Sequence, residues 1–157
     1  MAKISAGILL YKLVENQYYF FLVHPGGPFF KNKDEGWWTV PKGEPLADET
    51  PLSTALREFE EETGYCPSGD FIALSPVTQK GGKKVECWAV EGDLDAEKIV
   101  CNTFEMEWPP RSGLFKRFPE IDRAAWFDFA EAQVKINERQ KGFLIELREK
   151  LGDGLEK

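Results

Sequence analysis

The sequence predicts an α/β fold in one domain spanning residues 1–151. Apolar and aromatic segments of strand length flank a single well-capped amphipathic helix, and the order along the chain is strands, helix, strands, helix. With 157 residues, 42% of them hydrophobic, the chain can build one good core but not two ordinary ones.

Residues 4–13 and 17–24 are rich in aliphatic and aromatic side chains and are divided by Glu15-Asn16, which predicts two paired strands. The run His24-Pro25-Gly26-Gly27-Pro28 then breaks regular structure, and the loop after it carries Phe29 and Phe30 beside charged residues. Residues 37–40 are expected to form a short strand leading into Pro41-Lys42-Gly43.

Thr50-Pro51 is a helix start: the hydroxyl caps free N–H groups, and proline's missing N–H costs nothing at the first helical position. Gly64 supplies the stop. Between them Leu52, Ala55, Leu56, Phe59 and Thr63 recur at helical spacing and form one face that can pack on a sheet.

Residues 71–79 and 84–91 alternate around Gly81-Gly82, the pattern of a β-hairpin. Residues 102–113, with Pro109-Pro110 and Gly113, read as a loop. A strand over 121–127 follows, then a short helix opened by Asp128 and Glu131 as a capping box. Asn137 caps a last helix running to about Leu151, and residues 152–157 are expected to be a disordered tail.

Composition narrows the function classes. No apolar run approaches the roughly 20 residues of a membrane span, and the first residues enter a strand rather than a signal peptide, so a cytoplasmic protein is expected. Cys66, Cys87 and Cys101 contain no Cys-x-x-Cys pair and there is one histidine, which argues for reduced, structural thiols rather than zinc. A net charge of −7 argues against extended contact with a nucleic-acid backbone, although bound metal ions would let an acidic chain accept a polyphosphate.

The chemistry concentrates in residues 43–65, GEPLADETPLSTALREFEEETGY. Glu58, Glu61 and Glu62 stand at i, i+3 and i+4, so their carboxylates lie close together on one helix face, away from the apolar one. Clustered carboxylates repel unless a cation neutralises them, and a hard divalent ion suits them. Taken alone, EFEEE would read as a solvated helix side, with Glu60 pointing to water. The whole spacing says more. Gly43, Glu49, Arg57, Glu58, Glu61, Glu62 and Gly64 together resemble the Nudix box, the signature of Mg²⁺-dependent hydrolases that cut diphosphate linkages; Phe59 and Tyr65 stand where that family has aliphatic residues.

The resemblance covers nearly the whole chain and implies an α/β/α sandwich with a mixed sheet and a loop–helix–loop catalytic motif. It implies Mg²⁺, or Mn²⁺, as cofactor. Glu58 and Glu62 would be metal ligands, Glu61 a third ligand or the base, and the carbonyl of Lys42 a further ligand. Glu49 and Arg57 would brace the loop against the helix. Family enzymes often take one more carboxylate from outside the box, and the 102–113 segment offers Glu105 or Glu107, with Arg111 as a cation.

Lys80, Lys83 and Lys84, around the Gly-Gly turn, could reach phosphates; Phe29, Phe30, Trp37 and Trp108 could stack on a base. Trp38 and Trp88 are assigned to the core, and His24 to a structural role. The lead-in Trp38-Thr39-Val40-Pro41-Lys42-Gly43 resembles that of Nudix enzymes acting on dinucleoside polyphosphates such as diadenosine tetraphosphate. The expected substrate is therefore a small nucleotide of that class. A nucleoside triphosphate is the alternative, and an inactive nucleotide-binding module the remaining one.

Overall fold

The computed structural model describes residues 3–79 and 81–152. Its elements in chain order are β1 (Ile4–Val14), β2 (Gln17–Pro25), β3 (Lys42–Gly43), α1 (Pro51–Thr63), β4 (Ile72–Ala73), β5 (Val77–Thr78), β6 (Lys84–Glu91), β7 (Thr103–Glu107), β8 (Phe115–Pro119), β9 (Ile121–Asp128), α2 (Phe129–Lys135) and α3 (Lys141–Leu151). The sheet runs β4-β6-β1-β2-β9, with β3 added to β1 and β5 to β6. It is mixed, because β1 and β6 are parallel and the other pairs are antiparallel.

β1 explains the layering. Ala6, Ile8 and Leu10 point to one face and pack with Ala55 and Phe59 of α1, while Leu9 and Tyr11 point to the other and pack with Phe143, Leu144 and Leu147 of α3. A strand covered on both sides needs apolar residues at every position, which is why its sequence reads as a run rather than an alternation. The expected α/β sandwich is thus the observed one.

The β1–β2 turn uses Glu15 and Asn16, both at positive φ (51° and 67°), the backbone that a two-residue hairpin of native twist requires. Register pairing between the two strands runs only from Tyr11↔Phe20 to Val14↔Gln17. Beyond it they diverge, and residues 38–43 enter the gap: Thr39 bridges to Val23 of β2, Ile8 N donates to the Pro41 carbonyl, and Lys42 and Gly43 pair with Gly7 and Ala6.

That insertion corrects the strand expected over 37–40. The regular pairing falls on Lys42–Gly43, and Trp38 and Thr39 make single bridges to two different partners, Ile136 and Val23. The hairpin over 71–91 forms as expected, but its first strand is split into β4 and β5, with Ser75 N turned to the Glu146 carboxylate of α3 at 2.7 Å. Residues 102–113 are not a loop throughout. Thr103–Glu107 is β7, paired with β8 in a separate two-stranded sheet.

Asp128 caps α2 by accepting from Glu131 N at 2.8 Å, and Asn137 caps a single 3-10 turn (Glu138–Gln140) that leads into α3. Of the expected tail, Gly152 follows α3, and residues 153–157 lie outside the described residues. Cys66, Cys87 and Cys101 are free thiols. Among the described residues no helix is long and apolar enough to cross a membrane.

Candidate active site

α1 is fixed at both ends before it presents any charge. Thr50 and Ser53 exchange hydrogen bonds in a capping box, Pro51 occupies the first turn, and Gly64 closes the helix at φ 81°. Phe59 is fully buried against Phe21 and Tyr65, with ring centroids 5.8 Å and 6.2 Å away, so the two aromatic positions of the motif serve the core. Glu60 is exposed, and the opposite side of the helix meets the segment 42–49.

Arg57 ties that segment down. Its Nε donates to Glu49 Oε2 at 2.7 Å and its Nη2 to Glu49 Oε1 at 3.1 Å, a two-point fork, while Nη2 also reaches the Glu44 carbonyl. Glu49 Oε1 accepts further bonds from Leu46 N and Thr54 Oγ1. Arg57, then the Leu46 amide, holds the Glu49 carboxyl down to about 2. Arg57 Nη1 meanwhile lies 3.1 Å from both Glu58 Oε2 and Glu61 Oε2.

Gly43 packs flat on the Glu58 carboxylate. A methyl group at that position would overlap the carboxyl atoms, so the motif's first glycine is required by close approach rather than by backbone angle. Beneath it Glu62 is buried. Loss of hydration, followed by the neighbouring Glu58, raises its pKa far above the carboxylate range, and burial raises Glu58 as well. The two carboxyl groups stand one helical turn apart and each is shifted toward its protonated form.

Two lysines face this cluster. Burial lowers the pKa of Lys42, and next the nearby Lys83, against the opposing pull of Glu62, Glu44 and Glu58. Lys83 Nζ lies 3.2 Å from Glu44 Oε2, which anchors the tip of the β5–β6 hairpin beside the motif. Lys80 lies outside the described residues.

The loop residues are placed differently from the expectation. Glu107 accepts from the backbone N–H groups of Arg111 (3.2 Å) and Gly113 (2.9 Å), so it holds the tip of the β7–β8 hairpin together, with Arg111 exposed on that tip. Glu105 is exposed and stands opposite Arg117 in the hairpin register. The carboxylate outside the motif that acts on Glu62 is Glu120, between β8 and β9, and it pushes the Glu62 pKa further up. Its backbone is pinned by Glu120 N to the Asn102 carbonyl and by Gly26 N to its own carbonyl. No spacing in the sequence announces Glu120, because its neighbourhood is made by tertiary folding.

Phe29 packs edge-on against Trp108 at 5.4 Å, and Phe30 against Trp37 at 5.6 Å. His24 is fully buried between Asp122 Oδ1 (2.7 Å) and the Lys33 carbonyl (2.8 Å), a structural position. Trp38 is in the core on the α3 side of the sheet, and Trp88 is half-buried against the core on the α1 side.

Among the described residues, no three acidic, histidine or cysteine side chains converge so as to enclose a metal ion as they stand. Glu58 and Glu61 are turned instead toward Arg57. The donor chemistry nevertheless fits a hard divalent cation. A buried and a half-buried carboxyl group whose environment disfavours their charge are a site where a cation would favour the ionised form.

Comparison with known proteins agrees with this construction. A NUDIX domain family model matches residues 2–147. The mRNA-decapping protein g5R of African swine fever virus (isolate Warthog/Namibia/Wart80/1980) is 63% identical over 107 residues, covering 66% of this chain and 41% of that protein. The g5R protein of isolate Pig/Kenya/KEN-50/1950 is 31% identical over 90 residues, 57% of this chain and 36% of that protein. The chain thus spans about 40% of the length of these curated relatives.

Among solved structures, a Caenorhabditis elegans Ap4A hydrolase binary complex superposes with a TM-score of 0.67 at 19% identity, covering 96% of this chain and 98% of that one. The NUDIX domain of Shewanella oneidensis NrtR complexed with ADP ribose gives 0.66 at 18%, covering 96% and 89%. These likenesses establish a shared fold. A family match over nearly the full length places the chain in the Nudix hydrolase family.

Proposed function

We propose that the chain is a Mg²⁺-dependent hydrolase that cleaves a diphosphate linkage within a polyphosphate joining two nucleosides. The observation that carries this reading is the pairing of buried Glu62 with half-buried Glu58, backed by Gly43 and acted on by Glu120. Mg²⁺, with Mn²⁺ as the alternative, would supply charge neutralisation and an acidified water.

Glu58 and Glu62 are the ligands the chain offers, with Glu61 and the Lys42 carbonyl in reserve on the same side. Glu49 and Arg57 keep the segment 42–49 in place against α1. Glu120 takes the proton of the attacking water, in preference to Glu61, Glu105 or Glu107, because it approaches Glu62 from outside the motif. Lys42 and Lys83 lie at the edge of the cluster, where phosphate oxygens would meet them. Burial of Glu62 keeps water from screening these charges.

The substrate class rests on residues 38–43 and on the viral relatives. Those relatives are named for mRNA decapping, and an mRNA cap is itself a polyphosphate joining two nucleosides. A capped RNA is therefore the second reading, within the same bond chemistry. The test is Mg²⁺-dependent product release from diadenosine tetraphosphate, a capped oligoribonucleotide and ATP. Hydrolysis of either of the first two with a higher kcat/KM than ATP supports the proposal. Preference for ATP would replace it with triphosphate pyrophosphohydrolysis, and no turnover of any would leave a nucleotide-binding module.

A further inference from the structure

We propose a nucleotide seat in the cavity between residues 27–32 and the β7–β8 hairpin, with an aromatic base on Trp108 and Phe118 and a phosphate between Lys31 and Lys116. The cavity holds about 600 Å³, within the size range of small-molecule sites. Its walls are built by the hairpin register. Lys116 and Phe118 stand opposite Met106 and Phe104, and the Phe104 ring lies over Gly27, where a side chain would collide with it. Phe104 thereby closes one wall and supports Phe118, 6.0 Å away, while Phe29 holds Trp108 edge-on at 5.4 Å.

The charges favour an anion. Lys31 and Lys116 line the cavity, and neither forms an ion pair with a described residue. The one acid among the lining residues is Asp122, whose carboxylate is engaged by His24 Nδ1 at 2.7 Å and by Arg123 Nε at 3.9 Å. The cavity is thus locally cationic in a chain of net charge −7. Asn32, also in the wall, has an amide with no hydrogen-bond partner among the described residues and so can read a base edge.

By contrast, the cavity beside Trp126 is lined by Asp93, Asp95 and Glu97, and its lysine, Lys12, is already paired with Asp93 at 3.1 Å. Aromatic rings beside unpaired cations are what a nucleoside phosphate requires, because every base has a stacking face and every phosphate a charge. Pro119 lines the cavity, and the next residue is Glu120, whose charge acts on Glu62. The occupant is either the second nucleoside of a free dinucleoside polyphosphate or the first nucleotide of an RNA strand. Binding to the seat does not depend on the hydrolytic reading; a role in orienting substrate would rest on it.

The test is binding without turnover. In EDTA, adenosine 5′-monophosphate, a 5′-phosphorylated RNA pentamer and inorganic phosphate are titrated by calorimetry into the parent protein and into Lys31→Glu, Lys116→Glu and Trp108→Ala, with melting curves confirming that each is folded. Adenosine monophosphate should bind, each charge reversal should weaken it by about tenfold or more, and phosphate alone should bind at least about tenfold more weakly, since stacking is absent. A pentamer that binds tighter than the mononucleotide identifies the strand as occupant, and equal affinity identifies the free dinucleotide; both support the seat. Unchanged affinity in both lysine variants, or phosphate binding as tightly as the nucleotide, overturns it. With no metal present, either failure leaves the hydrolytic proposal standing.

Discussion

Glu58, half-buried, and Glu62, buried, stand one helical turn apart, and loss of hydration makes each hold its proton more tightly than a free glutamate does. A carboxyl whose pKa is raised by folding binds its proton more tightly in the native state. Stability of the metal-free protein should therefore fall as pH rises above 4.5, the ordinary value for glutamate, and keep falling toward the elevated native pKa. Added Mg²⁺ should flatten that decline. Melting temperatures from pH 5 to 9, with EDTA or Mg²⁺, test this, and parallel curves would refute it.

Glu62→Gln should fold and be at least as stable as the parent in EDTA at pH 8, because an amide replaces a group that resists ionisation. Its turnover on the best substrate should drop by roughly a hundredfold or more, since the amide brings no charge to a cation. Turnover close to the parent at limiting Mg²⁺ would remove Glu62 from the ligand set.

Gly43→Ala tests close approach. The added methyl overlaps the Glu58 carboxylate, so either the segment 42–43 or the glutamate must move, at a cost of about 1–3 kcal/mol in urea denaturation. Shortening the partner by Glu58→Asp in the same chain should recover part of that loss. If the alanine variant matches the parent in both stability and turnover, the packing of Gly43 on Glu58 has no consequence.

The Glu49–Arg57 fork has the opposite pH signature. Folding lowers the Glu49 carboxyl to about 2, so its contribution is present above 4.5 and is lost as pH falls through about 2. Arg57→Gln should therefore be less stable than the parent at pH 7, and the gap should narrow between pH 4.5 and 2. Urea midpoints at three pH values measure it; a gap independent of pH would assign the loss to something other than the fork.

Among the carboxylates outside the motif, Glu120→Gln should cut turnover by about a hundredfold, the scale of a lost general base. Glu105→Gln should stay within a few-fold. Glu107→Gln should act on the hairpin tip instead, detected as faster proteolysis near Arg111. A large turnover loss in Glu105→Gln with none in Glu120→Gln would reverse these assignments.

What could be read from the chain divides along the reach of each interaction. The bounds of α1 follow from Thr50, Pro51 and Gly64, whose effects are confined to one turn, and the same holds for Asp128 and Asn137. The motif spacing identified the carboxylate pair, but not that Glu58 and Glu61 would turn to Arg57. Residues 103–107 alternate Thr-Phe-Glu-Met-Glu in a strand's pattern, yet Pro109-Pro110 drew the reading toward a loop. Trp38 and Thr39 failed as a strand because each answers to a different neighbour. Glu120 had no local signature at all.

The insertion of residues 38–43 between β1 and β2 carries a consequence in time. A segment that fills a split in a sheet, bonded to one strand at Val23 and to the other at Ile8, cannot open without unzipping both. Its backbone amides should exchange with deuterium as slowly as those of β1, although its proline and glycine would suggest a fast-exchanging loop. The carboxylate cluster would then be backed by one of the slowest-opening parts of the molecule.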